Sequence, residues 1–434
     1  MSRPGLALCT ALTLAVALLA PAANAEQPGG TRLEPVCAGQ FQRLACQVER
    51  VVGGYDDDPD PVGWSAQDLQ KAYELPSTAN RTGTIAIIDV GAYPNLEGDL
   101  ARYRAQFGLP PCTAASGCFR QVDFHGGPPL RPSGGPDGAS IDEQIAVETA
   151  LDVDMASAAC PGCRITEVQI PSTEVPSAGD SDAPPDYDGY ADAFGTAVQT
   201  AIAQGADAVS ISYGLPGDDH MLHGPVAAQL AHRGTAIVAA SGDSGFEANK
   251  SLWPQALPTV TAVGGTELVR QSGRFSEGAW SGAGSSCVPG VAPPEGQPEA
   301  ITKSCGGSRA SVDVSAAASD LAVYDSYAPE SQQPPGWTVV AGTSAAAPII
   351  AGIYAASGGL ADVLGPNTLY RAHSGTFQDV TSGTSGTIGN GRCLSTAETD
   401  PGKPPPTFDG RLCAAGEGWD GPTGLGTPHG LFHF

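Results

Sequence analysis

The sequence predicts an α/β fold: a predominantly parallel central sheet flanked by helices, with long loops. Two patterns carry that expectation. Short, near-continuous apolar runs such as GTIAIIDV (83–90) have the character of strands buried on both faces. They alternate with helical stretches, as the strands of a doubly wound parallel sheet do. A third observation sets the loops, because 57 Gly and 38 Pro among 434 residues require many turns and extended connections.

Taken in order, SAQDLQKAYEL (65–75) reads as a helix with Ser65 as its N-cap, and 83–90 as the first buried strand. NLEGDLARYRAQFG (95–108) is helical, and IDEQIAVETALDVDMASAA (141–159) is a long helix. CRITEVQI (163–170) is a strand. YADAFGTAVQTAIAQG (190–205) and ADAVSIS (206–212) form the next helix–strand pair. GPVAAQLAHRG (224–234) and TAIVAAS (235–241) form another. WTVVAG (337–342) is a strand running into an Ala-rich helix that starts near Ser344. There is no internal repeat of fixed period. The polar loops 126–138 and 171–186 lack a GK[ST] signature and so do not read as phosphate cradles.

Residues 1–25 have the build of a secretory signal peptide: Arg3, an apolar run from Leu6 to Leu19, and a small-x-small end at Ala23-Asn24-Ala25. Residues 26–62 look irregular and read as a short pro-segment or linker. Periodic sequence then continues as one domain over 63–434. No later stretch reaches about 18 uninterrupted apolar residues, so the expectation is a secreted, extracellular monomer with no membrane partner. Of 11 cysteines, Cys9 falls in the signal. The others form near neighbours, 37/46, 112/118, 160/163, 287/305 and 393/413, as local disulfides of an exported protein would. In this setting Cys160-Pro-Gly-Cys163 is better read as a structural bridge than as a redox pair. A formal charge of −25 argues against nucleic acid and anionic membranes as partners. It also means that self-repulsion falls as pH falls.

The string GDSG at 242–245 suggests the nucleophile of a trypsin-like protease. It follows a buried strand in an α/β alternation, however, whereas trypsin-like domains are all-β. None of the seven histidines sits in a setting suited to a general base beside it. A better nucleophile is Ser344 in AGTSAAAPIIAGIYAAS (341–357). A serine at a helix start lies beside unpaired backbone N–H groups and the positive end of the dipole, which can hold an oxyanion. The plain alternative is an ordinary Ser N-cap. His125 cannot activate it as a helix-borne base, because 126-GGPPLRPSGG-135 cannot form the helix. Carboxylates can. Glu148 and Asp152 lie four apart on one face of an apolar helix, where a raised pKa makes a usable base. Asp142, Glu143 and Asp154 read as solvated or dipole-favoured charges.

Together these segments resemble the sedolisin family, the serine-carboxyl peptidases of subtilisin-like fold, over essentially 63–434. Glu148-Thr-Ala-Leu-Asp152 matches the family's ExxxD helix, and Ser212-Tyr213-Gly214 its substrate strand. Ser241-Gly-Asp243-Ser-Gly245 matches the oxyanion segment, and Gly342-Thr-Ser344 the nucleophile motif. WPQALPTVTAVGGT (253–266) and VDVSAAASD (312–320) match intervening core segments. The resemblance implies a secreted endopeptidase that hydrolyses proteins or peptides in acid, peaking below about pH 5, near ordinary carboxyl values. Ser344 would be the nucleophile, Glu148 the base and then acid, Asp152 its proton-sharing partner, and protonated Asp243 the oxyanion donor. Ser212, Tyr213 and Gly214 would bind the substrate as an added strand. It also implies one structural Ca²⁺ held by Asp379, the Val380, Gly416 and Gly418 carbonyls, and Asp420. Family members commonly carry a large folded pro-domain, and residues 26–62 depart from that pattern. Two rivals stand beside this reading: a neutral, histidine-using subtilisin-like protease, and a catalytically inactive peptide-binding pseudoprotease.

Overall fold

The computed structural model describes residues 32–36, 45–46, 48–52, 61–77, 82–132, 141–172, 187–249, 252–327, 336–373, 375–394 and 407–431. The expected signal peptide lies outside them.

The N-terminal part holds three short strands, β1 (Arg32–Pro35), β2 (Ala45–Cys46) and β3 (Glu49–Val52). Irregular structure was the expectation for 26–62. Strands β2 and β3 form because they pair with elements far along the chain, and β1 then adds to β3, a context that local sequence does not carry. Helix α1 (Ala66–Ala72) follows, capped by Ser65 in a capping box with Asp68. Then come β4 (Thr84–Val90), α2 (Leu96–Gln106), β5 (Phe119–Asp123), α3 (Ile141–Ala159), β6 (Arg164–Ile170) and α4 (Tyr187–Ala203). Strands β7 (Ala208–Ile211) and β8 (Tyr213–Pro216) flank Ser212. The helix expected over 224–234 is short, Pro225–Gln229. The next strands are β9 (Ala236–Ala240), β10 (Leu252–Trp253), β11 (Thr261–Gln271), β12 (Arg274–Ala279), β13 (Val314–Ala317), β14 (Leu321–Asp325) and β15 (Gly336–Ala341). They lead into helix α5 (Thr343–Ser357).

The main sheet has the order β12-β11-β9-β7-β4-β6-β5, with β13 also on β11. Its strands are parallel except β12. All seven residues of β4 are buried, as expected of a strand covered on both faces. Strand β15 does not join this sheet. It sits in a separate antiparallel sheet of order β1-β3-β15-β14, and its last residues set the start of α5. The disulfides 112–118, 160–163, 287–305 and 393–413 are formed as the spacing predicts. Cys46 is also disulfide-bonded, and its expected partner Cys37 lies outside the described residues. Among the described residues no helix is long and apolar enough to cross a membrane.

Candidate active site

Parallel α/β sheets gather function at the carboxyl ends of their strands. Asp89 is the penultimate residue of β4, Ser212 follows β7, and Ser241-Gly242-Asp243 follows β9. Helices α3 and α5 bring Glu148, Asp152 and Ser344 to the same end.

Helix α5 starts sharply because Gly342 takes φ 149°, a region that penalises any side chain. Its amide donates to the Ala318 carbonyl at 2.7 Å. Pro348 lies in the second turn and has no N–H, so the Ser344 carbonyl loses its usual i+4 partner. The Ser212 hydroxyl reaches that carbonyl instead, at 3.4 Å. The Ser344 hydroxyl in turn donates to the Ser212 carbonyl at 3.4 Å. Ser344 has no exposed surface.

Glu148 and Asp152, one turn apart on α3, are also fully buried. Ser212 Oγ donates to Asp152 Oδ1 at 2.8 Å. One hydroxyl hydrogen cannot serve both Asp152 and the Ser344 carbonyl. A proton on Asp152 resolves this, because Asp152 then donates to Ser212, which donates onward. Burial pushes the Asp152 carboxyl well above its ordinary range, and the neighbouring Glu148 adds to the effect. Burial likewise raises Glu148, while hydrogen bonding from the Ser344 hydroxyl pulls it back down and Asp89 and Asp243 push it up. Neither Glu148 oxygen completes a hydrogen bond of good geometry.

Asp243 is tied to the start of α5. Its Oδ1 accepts from the Thr343 amide at 2.8 Å and from the Thr343 hydroxyl at 2.9 Å. The Gly242 amide donates to that same hydroxyl at 3.0 Å. Desolvation raises the Asp243 carboxyl to about 8, against the lowering effect of the Thr343 bonds, with Glu49 contributing a further rise. Ser244, next door, is exposed. His125 is exposed on the loop after β5, against the Phe124 ring at 3.9 Å between centroids.

Three findings differ from the sequence reading or go beyond it. Asp142 and Asp154 are buried, not solvated. Asp154 faces α2 and β14, accepting from the Tyr324 amide at 3.2 Å. The Tyr213 side chain belongs to the core, 3% exposed and packed at 5.7 Å from the Phe194 ring. Asp89, near the carboxyl end of β4, is a further acid of this site beyond the expected set. It is fully buried, and burial together with Asp152 and Glu167 raises its pKa. The signal was a carboxylate inside an otherwise apolar strand, TIAIIDV.

At the expected calcium site, Asp379 Oδ2 accepts from the Gly418 amide at 2.9 Å, and Asp420 Oδ2 from the Gly416 amide at 3.0 Å. The turn 416–420 thus joins both carboxylates. Burial first, then the nearby Asp379 charge, raises Asp420 to about 7. Among the described residues no cluster of three or more His, Cys, Asp or Glu side chains could hold a metal, so a cation here would need the Val380, Gly416 and Gly418 carbonyls as well. Two acids plus carbonyls are the donor chemistry that Ca²⁺ takes.

The subtilase family model matches residues 164–391. Kumamolisin from Bacillus sp. (strain MN-32) is 28% identical, over 93% of this chain and 68% of its own length. Pseudomonas sedolisin, a serine-carboxyl proteinase solved with two molecules of pseudo-iodotyrostatin, superposes with a TM-score of 0.59 at 21% identity. The match covers 85% of this chain and 96% of that one.

Proposed function

Because this chain belongs to the subtilase family and is a sedolisin-like serine peptidase, we propose that it hydrolyses proteins in acid through an acyl-enzyme on Ser344. The observation that carries the reading is the buried line Asp152–Ser212–Ser344, with Glu148 one turn before Asp152 on α3 and Asp243 at the helix start of Ser344.

Glu148 and Asp152 share a proton, since two carboxylates this close and this buried cannot both ionise. Asp152 keeps it, and Glu148 takes the Ser344 proton as Oγ adds to the scissile carbonyl. Glu148 then returns that proton to the leaving amine, and the cycle repeats with water. The oxyanion is met by Asp243, whose raised pKa keeps it protonated and able to donate; an ionised Asp would repel it. Such a donor contributes about 3–4 kcal/mol to the barrier reduction. Substrate adds as an antiparallel strand along Ser212–Gly214 through backbone bonds, with the Tyr213 side chain serving the core beneath.

Residues 63–434 constitute the peptidase domain. The signal-like 1–25 and the disulfides support export. Asp379, Asp420 and the three carbonyls would hold one structural Ca²⁺, which neutralises two facing acids and closes the C-terminal turn onto the 377–383 segment. The deciding experiment is digestion of a denatured protein in acid. Ser344→Ala and Glu148→Ala should each abolish it, Asp243→Ala should slow it by about 10²–10³-fold, Ser244→Ala should spare it, and pepsin-type inhibitors should not act. Loss in Ser244→Ala with retained folding would contradict the assignment.

A further inference from the structure

An oxyanion donor works only if it is already held where the charge will form. Thr343 holds the Asp243 carboxyl, and other residues hold the turn that carries it. The Gly242 carbonyl accepts from the Gly284 amide at 2.8 Å, and the Gly245 amide donates to the Gly282 carbonyl at 2.9 Å. The Phe246 amide donates to the Ser385 carbonyl at 2.7 Å, and the Ser385 amide donates in turn to the Cys413 carbonyl at 2.9 Å. Gly245 takes φ 70°, and a Cβ there would lie 2.3 Å from the Ser385 carbonyl oxygen, so only glycine lets the turn approach this closely. The Phe246 side chain is 1% exposed and belongs to an apolar cluster separate from the main core. That cluster includes Leu412 and Trp419 and is cross-linked by two disulfides, 287–305 and 393–413. The Phe246 ring meets the Phe408 ring edge-on, 5.6 Å between centroids. A ring locked among close-packed, cross-linked neighbours is a stiff anchor. It has no proton to give, so whatever it adds to the chemistry it adds through position.

We propose that Phe246 is a positioning residue for the reaction: it pins the turn that carries Asp243 to the disulfide-braced C-terminal cluster, so that the carboxyl meets the developing oxyanion without moving. The inference rests on the peptidase reading above, with Asp243 as the oxyanion donor. The turn is gripped at two points. The Asp243 carboxyl is fixed to the start of the helix that carries Ser344, and Phe246, three residues on, is fixed in the cluster. Releasing the second point lets the carboxyl shift with its turn, and a displacement of about 1 Å can cost about 10²-fold in rate. The oxyanion exists only in the transition state and the intermediate it leads to. The loss should therefore fall on kcat and leave KM nearly unchanged.

The test is a double-mutant cycle on the full chain, read as kcat and KM for digestion of a denatured protein in acid, with Ser344→Ala as the blank. Phe246→Ala should lower kcat about 10- to 100-fold with KM within about twofold. Phe246→Leu, which keeps an apolar anchor, should recover most of that loss. In an Asp243→Ala background, where there is no donor left to position, adding Phe246→Ala should change kcat by less than about twofold. A kcat loss of the same size in both backgrounds, or full kcat in folded Phe246→Ala, overturns the positioning role and leaves the peptidase reading intact. Cys393→Ala with Cys413→Ala removes the brace without touching Phe246. It supplies a second cycle against Asp243→Ala with the same expected pattern, so the test stands if Phe246→Ala does not fold. No Ser344-dependent digestion by the wild type overturns the peptidase reading and this one with it.

Discussion

Helix α3 serves two buried acidic clusters that differ in one respect. On one face Glu148 and Asp152 join Asp89 beneath Ser344. Both oxygens of Glu148 and of Asp89, and Asp152 Oδ2, complete no hydrogen bond of good geometry. On the other face Asp154 meets Asp99 and Asp325, and these acids are supplied with donors. Tyr93 hydroxyl lies 2.5 Å from Asp99 and 2.7 Å from Asp325, and the Ser326, Tyr327 and Tyr324 amides donate to Asp99, Asp325 and Asp154. Arg104 adds its charge near Asp154. Burial raises Glu148 and Asp154 alike, so a raised carboxyl does not by itself mark the chemistry. Unmet hydrogen-bonding capacity beside a nucleophile does, because a group that must exchange protons with a substrate cannot be fully committed to the fold.

Substitutions on the two faces should therefore separate activity from stability. Ser344→Ala or Glu148→Gln should lower kcat by roughly 10⁴-fold or more without lowering Tm. Asp243→Ala should cost about 10²–10³-fold in kcat. Asp154→Ala on the opposite face should leave kcat of the folded enzyme little changed but cost about 1–3 kcal/mol of stability, read as a lower Tm. Equal losses of activity on both faces would break the comparison.

Stability should also track pH. Asp89, Glu148, Asp152 and Asp154 have folded pKa values above their unfolded ones. Their contribution is complete below the unfolded values, about pH 4, and is lost as pH rises through the folded values. Tm should accordingly fall by several degrees between pH 4 and pH 8. The smallest effect expected is from metal. Calcium at about 100 times its Kd should stabilise by about 2.7 kcal/mol, so chelator should lower Tm by a few degrees. An unchanged Tm with no co-purifying metal would remove the site.

The parallel core was readable because a strand buried on both faces announces itself as an apolar run, and 84–90 and 164–170 were found nearly to the residue. Ser344, Glu148, Asp152 and Asp243 were readable as short motifs with a chemical reason for their spacing. What sequence did not carry was partnership across distance. Residues 45–46 and 49–52 are strands because β8 and β15 offer them edges. Asp154 looked solvated because its partners, the Tyr324 amide and the Arg104 charge, come from far away in the chain. Asp89 was hidden for the same reason, its acidic neighbours lying on α3 and β6.

The central claim is that carboxyl groups, one of them a protonated oxyanion donor, do the acid–base and oxyanion work beside Ser344. The rate of cleavage of a denatured protein from pH 2 to pH 8, with Ser344→Ala as control, tests it most directly. Activity should lie on the acid side and be lost as Asp243 ionises, at about 8. Water admitted with the substrate shifts that loss to lower pH, since it relieves the desolvation that raises the group. An enzyme fully active at pH 8 and idle in acid, or one whose acid activity survives Ser344→Ala, would contradict the account.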